Sequence, residues 1–221
     1  MASLSLHSQL RQRFPNAFWQ GDPERREIAL TFDDGPYTRD TPALLALLDD
    51  LGVKASFFHV GARAAAEPAL ARQVADAGHQ IGLHGYEHQS FLLKREEMLL
   101  EELARAQNIL AQATGREPVA FNAVRPPFGH FTPSILNALL AAGYLPTMWT
   151  LVPFHWLQPA ETTVRQVLNG VANGSILVLH ETLPGPAVLD LAAAVLPLLI
   201  DAGYTFVTVQ ELWTNSQQKE P

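Results

Sequence analysis

Seven short apolar runs recur along the chain, separated by stretches with helical spacing. The runs are EIALTF (27–32), KASFFHV (54–60), QIGL (80–83), VAFNAV (119–124), YLPTMW (144–149), SILVLH (175–180) and YTFVTV (204–209). They read as strands buried on both faces. Residues 41–51 carry Leu44, Leu45, Leu47, Leu48 and Leu51 ahead of Gly52, and residues 94–114 set Leu99, Leu103, Ala106 and Leu110 on one stripe ahead of Gly115. Further helices are predicted over 67–77, over 132–143 with Thr132 as N-cap, over 161–172, and over 187–202, the last kinked or broken at Pro197. Strands alternating with helices specify parallel βα units. Seven such units in 221 residues predict an α/β, single-domain fold, a small or irregular βα barrel rather than an open doubly wound sheet. There is no Gly-rich dinucleotide loop and no phosphate loop.

Charge and composition narrow the partners. The formal net charge is −7 and no basic cluster suits a phosphate backbone, so no nucleic acid is expected. The chain has no cysteine, which excludes disulfides, thiolate metal sites and cysteine nucleophiles. No apolar run reaches the roughly 18–20 residues of an integral membrane segment. The first residues lack the basic and apolar regions of a secretory signal. A cytoplasmic location is therefore expected for the chain as written, and a secreted or envelope location if a leader precedes it.

Polar residues fall at strand ends. Asp33 and Asp34 follow the first run, His84 and His88 the third, and Arg125 the fourth; Trp149 closes the fifth and His180 the sixth. In a parallel barrel all strand C-termini share one rim, where active sites are built. Each feature alone has an ordinary explanation: Asp-Asp-Gly-Pro is turn chemistry, a strand-end histidine is often structural, and a tryptophan is usually packing. Joint placement at five strand ends is what argues for a site.

The residue types permit a specific chemistry. His84 and His88, four apart on one face of a helical turn, together with the carboxylate of Asp34 suit a catalytic Zn²⁺ or similar divalent ion. Such an ion acidifies water and polarises a carbonyl. Asp33, pointing away from Asp34 on an extended chain, is then free to act as general base. Arg125, if it reaches Asp33, would favour its ionised form. His180 on the opposite side would protonate a leaving amine or alcohol. The sum is metal-assisted hydrolysis of an acyl group.

TFDDGP (31–36), HGYEH (84–88), RPPFG (125–129), WTLVPFHW (149–156) and LVLH (177–180) occur in this order. In order and spacing they resemble the five motifs of the polysaccharide deacetylases, the nodulation-type deacetylases of carbohydrate esterase family four. The resemblance implies a distorted (β/α)7 barrel. It implies Asp33 as base, Asp34, His84 and His88 as ligands of zinc (or another divalent metal such as Co²⁺), Arg125 as the orienter of the base, and His180 as acid. Val178 and Trp156 would line the acetyl pocket, with Pro127, Phe128 and Gly129 as further substrate contacts. The match spans about residues 27–213, leaving 1–26 as an N-terminal extension and 214–221 as a frayed tail.

Three positions depart from the family pattern. Gly85 stands where a Ser or Thr hydroxyl usually steadies the metal loop. Val178 replaces a leucine. His155 stands where an aspartate usually pairs with the third-motif arginine, so His155 is expected to accept a hydrogen bond from Arg125 when neutral and to tune the base. The expected substrate is an acetylated oligo- or polysaccharide, or a lipid-linked sugar, N-acetylated or O-acetylated. Short loops at 59–66 and 85–93 imply an open groove, with Phe91, Phe128, Phe131, Phe154 and Trp156 as candidate stacking platforms. FLL at 91–93 could be a lipid-facing patch or could be buried. Two other readings compete. A catalytically weakened carbohydrate-binding module would keep the barrel alone. A zinc peptidase of inverted H-x-x-E-H motif would use Glu87 as base, though the preceding strand and Gly85 count against it.

Overall fold

The computed structural model of the protein describes residues 6–181 and 188–218. Seven parallel strands form one curled sheet. They are β1 (Glu27–Asp33), β2 (Ser56–His59), β3 (Gln80–Leu83), β4 (Ala123–Val124), β5 (Leu145–Pro146), β6 (Ile176–His180) and β7 (Thr205–Phe206). Their order is β5-β4-β3-β2-β1-β6, and β7 pairs with the start of β1. Helices α1 (Leu6–Arg13), α2 (Thr41–Asp50), α3 (Gly61–Ala66), α4 (Pro68–Asp76), α5 (Glu96–Thr114), α6 (Pro133–Ala141), α7 (Ala160–Gly170), α8 (Val188–Asp201) and α9 (Val209–Gln217) complete the chain. The result is a distorted (β/α)7 barrel.

Strands β1 to β6 are almost continuously buried because both faces are covered, whereas the short β7 is not. Phe32 and Phe57 stack at 5.0 Å beneath the helices, while Phe58 joins Ala29, Ala123 and Ile176 in a second cluster. The predicted stripe on α5 is the one it buries. Between β5 and β6 the wall is irregular: Phe18 bridges Thr147, and Leu151 bridges Leu177. Ala17, Phe18 and Trp19 are thereby buried, so part of the segment expected as an N-terminal extension belongs to the wall.

Several expected boundaries shift for local reasons. The fourth run opens with a 3₁₀ turn at Pro118–Ala120 and keeps only two residues as strand. The fifth ends at Pro146, which has no N–H to continue the ladder. The seventh gives way at Thr208, where a capping box with Glu211 starts α9. That helix crosses the boundary drawn at 213 and buries Leu212. Helix α8 runs through Pro197 without the expected break. Ala193, whose carbonyl loses its partner to the proline, faces solvent and can bond water instead.

Candidate active site

The ends of β1, β2, β3, β4 and β6 converge on one rim, as the parallel pairing requires. Register sets Asp33 directly beside His180 across β1 and β6, and beside Phe58 across β1 and β2. A cleft of about 450 Å³ opens there. Its walls include Asp33, Asp34, His84, His88, Phe128, Gly129, Trp149, Phe154, Trp156, Val178 and His180, all named from sequence, together with Pro126 and Val152.

Asp33 is buried at the strand end, and its Oδ1 lies 2.6 Å from Arg125 Nη1. Arg125 is itself wholly buried. The same Nη1 donates to the Thr31 hydroxyl at 2.7 Å, Nη2 donates to the Met148 carbonyl at 3.1 Å, and Nε reaches the Thr147 carbonyl at 3.4 Å. Its guanidinium carbon stands 4.0 Å from the centre of the Phe58 ring. Burial lowers the arginine's pKa, and Asp33 pulls the other way. Asp33 is thus oriented by a cation fixed from four directions.

Asp34 does not continue the strand. Its φ is 76°, the left-handed region that Asp tolerates better than most residues. The expected extended pair is therefore a strand end followed by a turn, which swings Asp34 away from Asp33 and toward the histidines. Asp34 Oδ1 lies 3.0 Å from His88 Nε2 and 3.5 Å from His84 Nε2. Burial opposes ionisation of Asp34, but the His88 contact and the histidine charges outweigh it and lower its pKa.

The two histidines do not share a helical turn as expected. They flank a loop in which Gly85 has φ 73° and His88 has φ 54°. A left-handed position suits glycine better than Ser or Thr, which accounts for Gly85. The steadying bonds come from the start of α3 instead: Gly61 N–H donates to the Gly85 carbonyl and Ala62 N–H to the Tyr86 carbonyl. His84 Nδ1 lies 2.8 Å from the Arg125 carbonyl. A carbonyl only accepts, so Nδ1 carries the hydrogen and Nε2 turns a lone pair toward Asp34. Burial lowers the His84 pKa, with Asp33 and Asp34 opposing.

These atoms fit a metal. Asp34 Oδ1 is buried without a hydrogen bond of its own, and acceptors that face one another repel unless a cation lies between them. Asp34, His84 and His88 offer ligand atoms all within 4.8 Å of one another. Tetrahedral zinc ligands at about 2.0–2.1 Å from the ion stand about 3.3 Å apart, a value that the two Asp34–histidine distances of 3.0 and 3.5 Å bracket.

The opposite wall is made of rings. Trp156 meets His180 edge-on at 4.7 Å, and Phe154 meets Trp156 at 5.4 Å. Burial lowers the His180 pKa, with Asp33 and Asp34 opposing. His155 is buried, and its Nε2 accepts the His180 N–H at 3.2 Å. This differs from the expected bond to Arg125: the carbonyls of Thr147 and Met148 serve the guanidinium, and His155 serves the backbone of His180. Pro127 differs as well. It is buried behind the Gly85 turn, and Pro126 lines the cleft in its place.

Of the expected stacking platforms, Phe128 and Phe154 are 61% and 51% exposed on opposite walls, whereas Phe91 is buried and Phe131 packs on Phe14. In the FLL stretch only Leu92 and Leu93 are exposed. Glu87 is exposed, accepts from Gln89 and does not line the cleft, which removes the base of the peptidase reading. Val152 and Pro126 carry no chemistry a sequence could flag. Their placement comes from the irregular wall and from the first proline of RPPFG. No described helix is long and apolar enough to cross a membrane.

Comparison with known proteins follows the same geometry. A family model described as polysaccharide deacetylase matches residues 20–147. A peptidoglycan-N-acetylglucosamine deacetylase of Bacillus cereus is 33% identical over 198 residues, covering 88% of this chain and 91% of the relative. The solved structure of a peptidoglycan N-acetylglucosamine deacetylase bound to a 4-naphthalen-1-yl-N-oxidanyl-benzamide superposes with a TM-score of 0.84 at 28% identity, covering 92% of this chain and 95% of the other. A family 4 acetyl xylan esterase from Clostridium thermocellum, solved with a cobalt ion, has a TM-score of 0.76 at 30% identity, covering 85% and 90%.

Proposed function

Because the chain belongs to the polysaccharide deacetylase family, we propose that it is a metal-dependent hydrolase that removes N-acetyl groups from an N-acetylglucosamine-containing glycan. The observation that carries this reading is the convergence of Asp34, His84 and His88 beside the Asp33–Arg125 pair, with His180 facing them across an apolar cleft. Asp34, His84 and His88 would hold the ion, zinc or a similar divalent metal such as cobalt. When bound, it supplies a Lewis acid that acidifies water and polarises the acetyl carbonyl.

The chain's own residues do the rest. Arg125 fixes Asp33 so that one carboxylate oxygen faces the cleft and takes the proton of the attacking water. His180, held by the β1–β6 register and by His155, gives a proton to the departing amine nitrogen as the carbon–nitrogen bond breaks. Val178 and Trp156 line the cleft where an acetyl methyl would sit, and exposed Phe128 and Phe154 offer faces to flanking sugar rings. The products are acetate and a free amino sugar.

Acetate release from N-acetylglucosamine oligomers and from isolated peptidoglycan tests the reading, with acetylated xylan as the ester comparison. Activity lost to a chelator and restored by zinc or cobalt is expected. A protein that binds these glycans but releases no acetate in saturating zinc would be a binding module instead.

A further inference from the structure

The residue after His180 is a glutamate, and no part of the mechanism uses it. Glu181 is 1% exposed. Its Oε2 accepts a hydrogen bond from the Thr41 hydroxyl, which in turn accepts the Tyr37 N–H at 2.8 Å. Its Oε1 has no hydrogen-bond partner among the described residues. A Cβ added at Gly35 would lie 1.9 Å from that oxygen. Gly35 is not in the left-handed region, so the carboxyl group, not the backbone, is what reserves this position for glycine. The Glu181 main chain joins in, donating to the Asp33 carbonyl at 3.1 Å.

The loop from Asp34 to Tyr37 is thus held from two sides. Outside, Val60 N–H donates to the Gly35 carbonyl and Arg63 donates to the Asp34 carbonyl. Inside, the Glu181 side chain fills the hollow under Gly35. We propose that Glu181 is a positioning residue: its side chain wedges beneath Gly35 and, through Thr41, sets the loop that presents Asp33 and Asp34. The groups facing it are Thr41, Asp40, Asp34 and Tyr37, with Arg63 stacked on Tyr37 and Arg39 paired to Asp40. Burial pushes its pKa up to about 8, with Asp34 and Asp40 adding to the shift and Thr41 opposing it. Glutamine has the same shape and keeps the wedge.

The proposal rests on the metal-site reading above, and its test separates the two. Zinc affinity of the metal-free full chain, measured by competition with a chromophoric chelator, needs no turnover. Glu181→Ala is expected to weaken zinc binding about tenfold or more by freeing Asp34, while Glu181→Gln stays within about threefold of wild type. On N-acetylglucosamine oligomers in saturating zinc, Glu181→Ala should lose kcat by on the order of 10²-fold, with KM little changed, because a displacement near 1 Å suffices. Gly35→Ala should weaken zinc binding in wild type and add less than about twofold in the Glu181→Ala background. Should Glu181→Ala fail to fold, Thr41→Val cuts the same tie and should shift zinc affinity the same way. Zinc affinities of Glu181→Ala or Thr41→Val equal to wild type, or additive losses with Gly35→Ala, would overturn the proposal. An inactive wild type with the expected order of zinc affinities would overturn only the deacetylase reading.

Discussion

Asp34, His84 and His88 stand on a wall tied together by main-chain hydrogen bonds, whereas His180 faces them from a wall of rings packed edge to face. On the first wall Gly61, Ala62, Val60 and His84 all engage neighbouring backbone carbonyls, and Arg125 locks Asp33 beneath. On the second, His180 leans on Trp156 and its N–H donates to the His155 ring Nε2. Backbone bonds fix positions without depending on which side chains surround them. Ring contacts, worth about 0.5–1.5 kcal/mol each, leave room for sequence change. The positions that differ from the expected pattern follow that division: the first wall absorbs Gly85 through backbone geometry, and the second carries His155 where an aspartate was expected.

The largest effect is expected on the first wall. Asp33→Asn should cut deacetylation by about 10²- to 10⁴-fold. The loss should be the same for an aryl acetate as for an N-acetyl sugar, since both need the water activated. Initial rates on the two substrates check this, and a variant that spared the aryl ester would place the base elsewhere.

The second wall should show the opposite selectivity. An amine leaves only when protonated, and a phenolate leaves without help. His180→Ala should therefore lose about 10²-fold on an N-acetyl sugar and only a few-fold on an aryl acetate. His155→Ala should show the same bias at roughly a tenth of the size, because it loosens His180 without removing it. Equal losses on both substrates would mean that His180 shapes the cleft and does not donate a proton.

The same division marks what the sequence could disclose. Asp33, Asp34, His84, His88, Arg125 and His180 were legible because parallel strands must deliver their C-terminal residues to one rim. Loop conformation was not: residue identity does not announce the left-handed turns at Asp34 and His88, which depend on the contacts around them. Thr147 and Met148 serve Arg125 through carbonyls, which every residue has. In the fold, β4 and β5 shrink to two residues each where apolar composition alone predicts longer strands. The start of α9 was signalled by Thr208 and Glu211, but an apolar run masked it.

A smaller effect tests how the first wall is supported. His59 is fully buried at the end of β2, its carbonyl accepts the His84 N–H at 2.8 Å, and burial lowers its pKa from 6.5 to about 3. The unfolded chain therefore binds a proton that the folded one refuses. Stability is complete above about pH 6.5 and falls as the pH drops below it. Between pH 6.5 and 5 the loss from this one residue is about 2 kcal/mol. Urea midpoints at pH 7.5 and 5 should differ by less in His59→Leu than in wild type, and an unchanged difference would show that other groups carry the acid sensitivity.

The smallest effect belongs to the rings. Phe154 and Phe128 are exposed on opposite walls, and both hold left-handed backbones, with φ 47° and 60°. Alanine at either position keeps the backbone strain and removes only the ring, so the comparison isolates stacking. A lost sugar–aromatic contact of about 0.5–1.5 kcal/mol raises KM about 2- to 10-fold with kcat unchanged. Phe154 abuts Trp156, which abuts His180, whereas Phe128 abuts His88. If the second wall is the more yielding, Phe154→Ala should also lower kcat slightly on N-acetyl sugars, by letting Trp156 and His180 drift, and Phe128→Ala should not. Kinetics of the two variants on oligomers of increasing length check this. A kcat loss confined to Phe128→Ala would reverse the assignment of which wall is rigid.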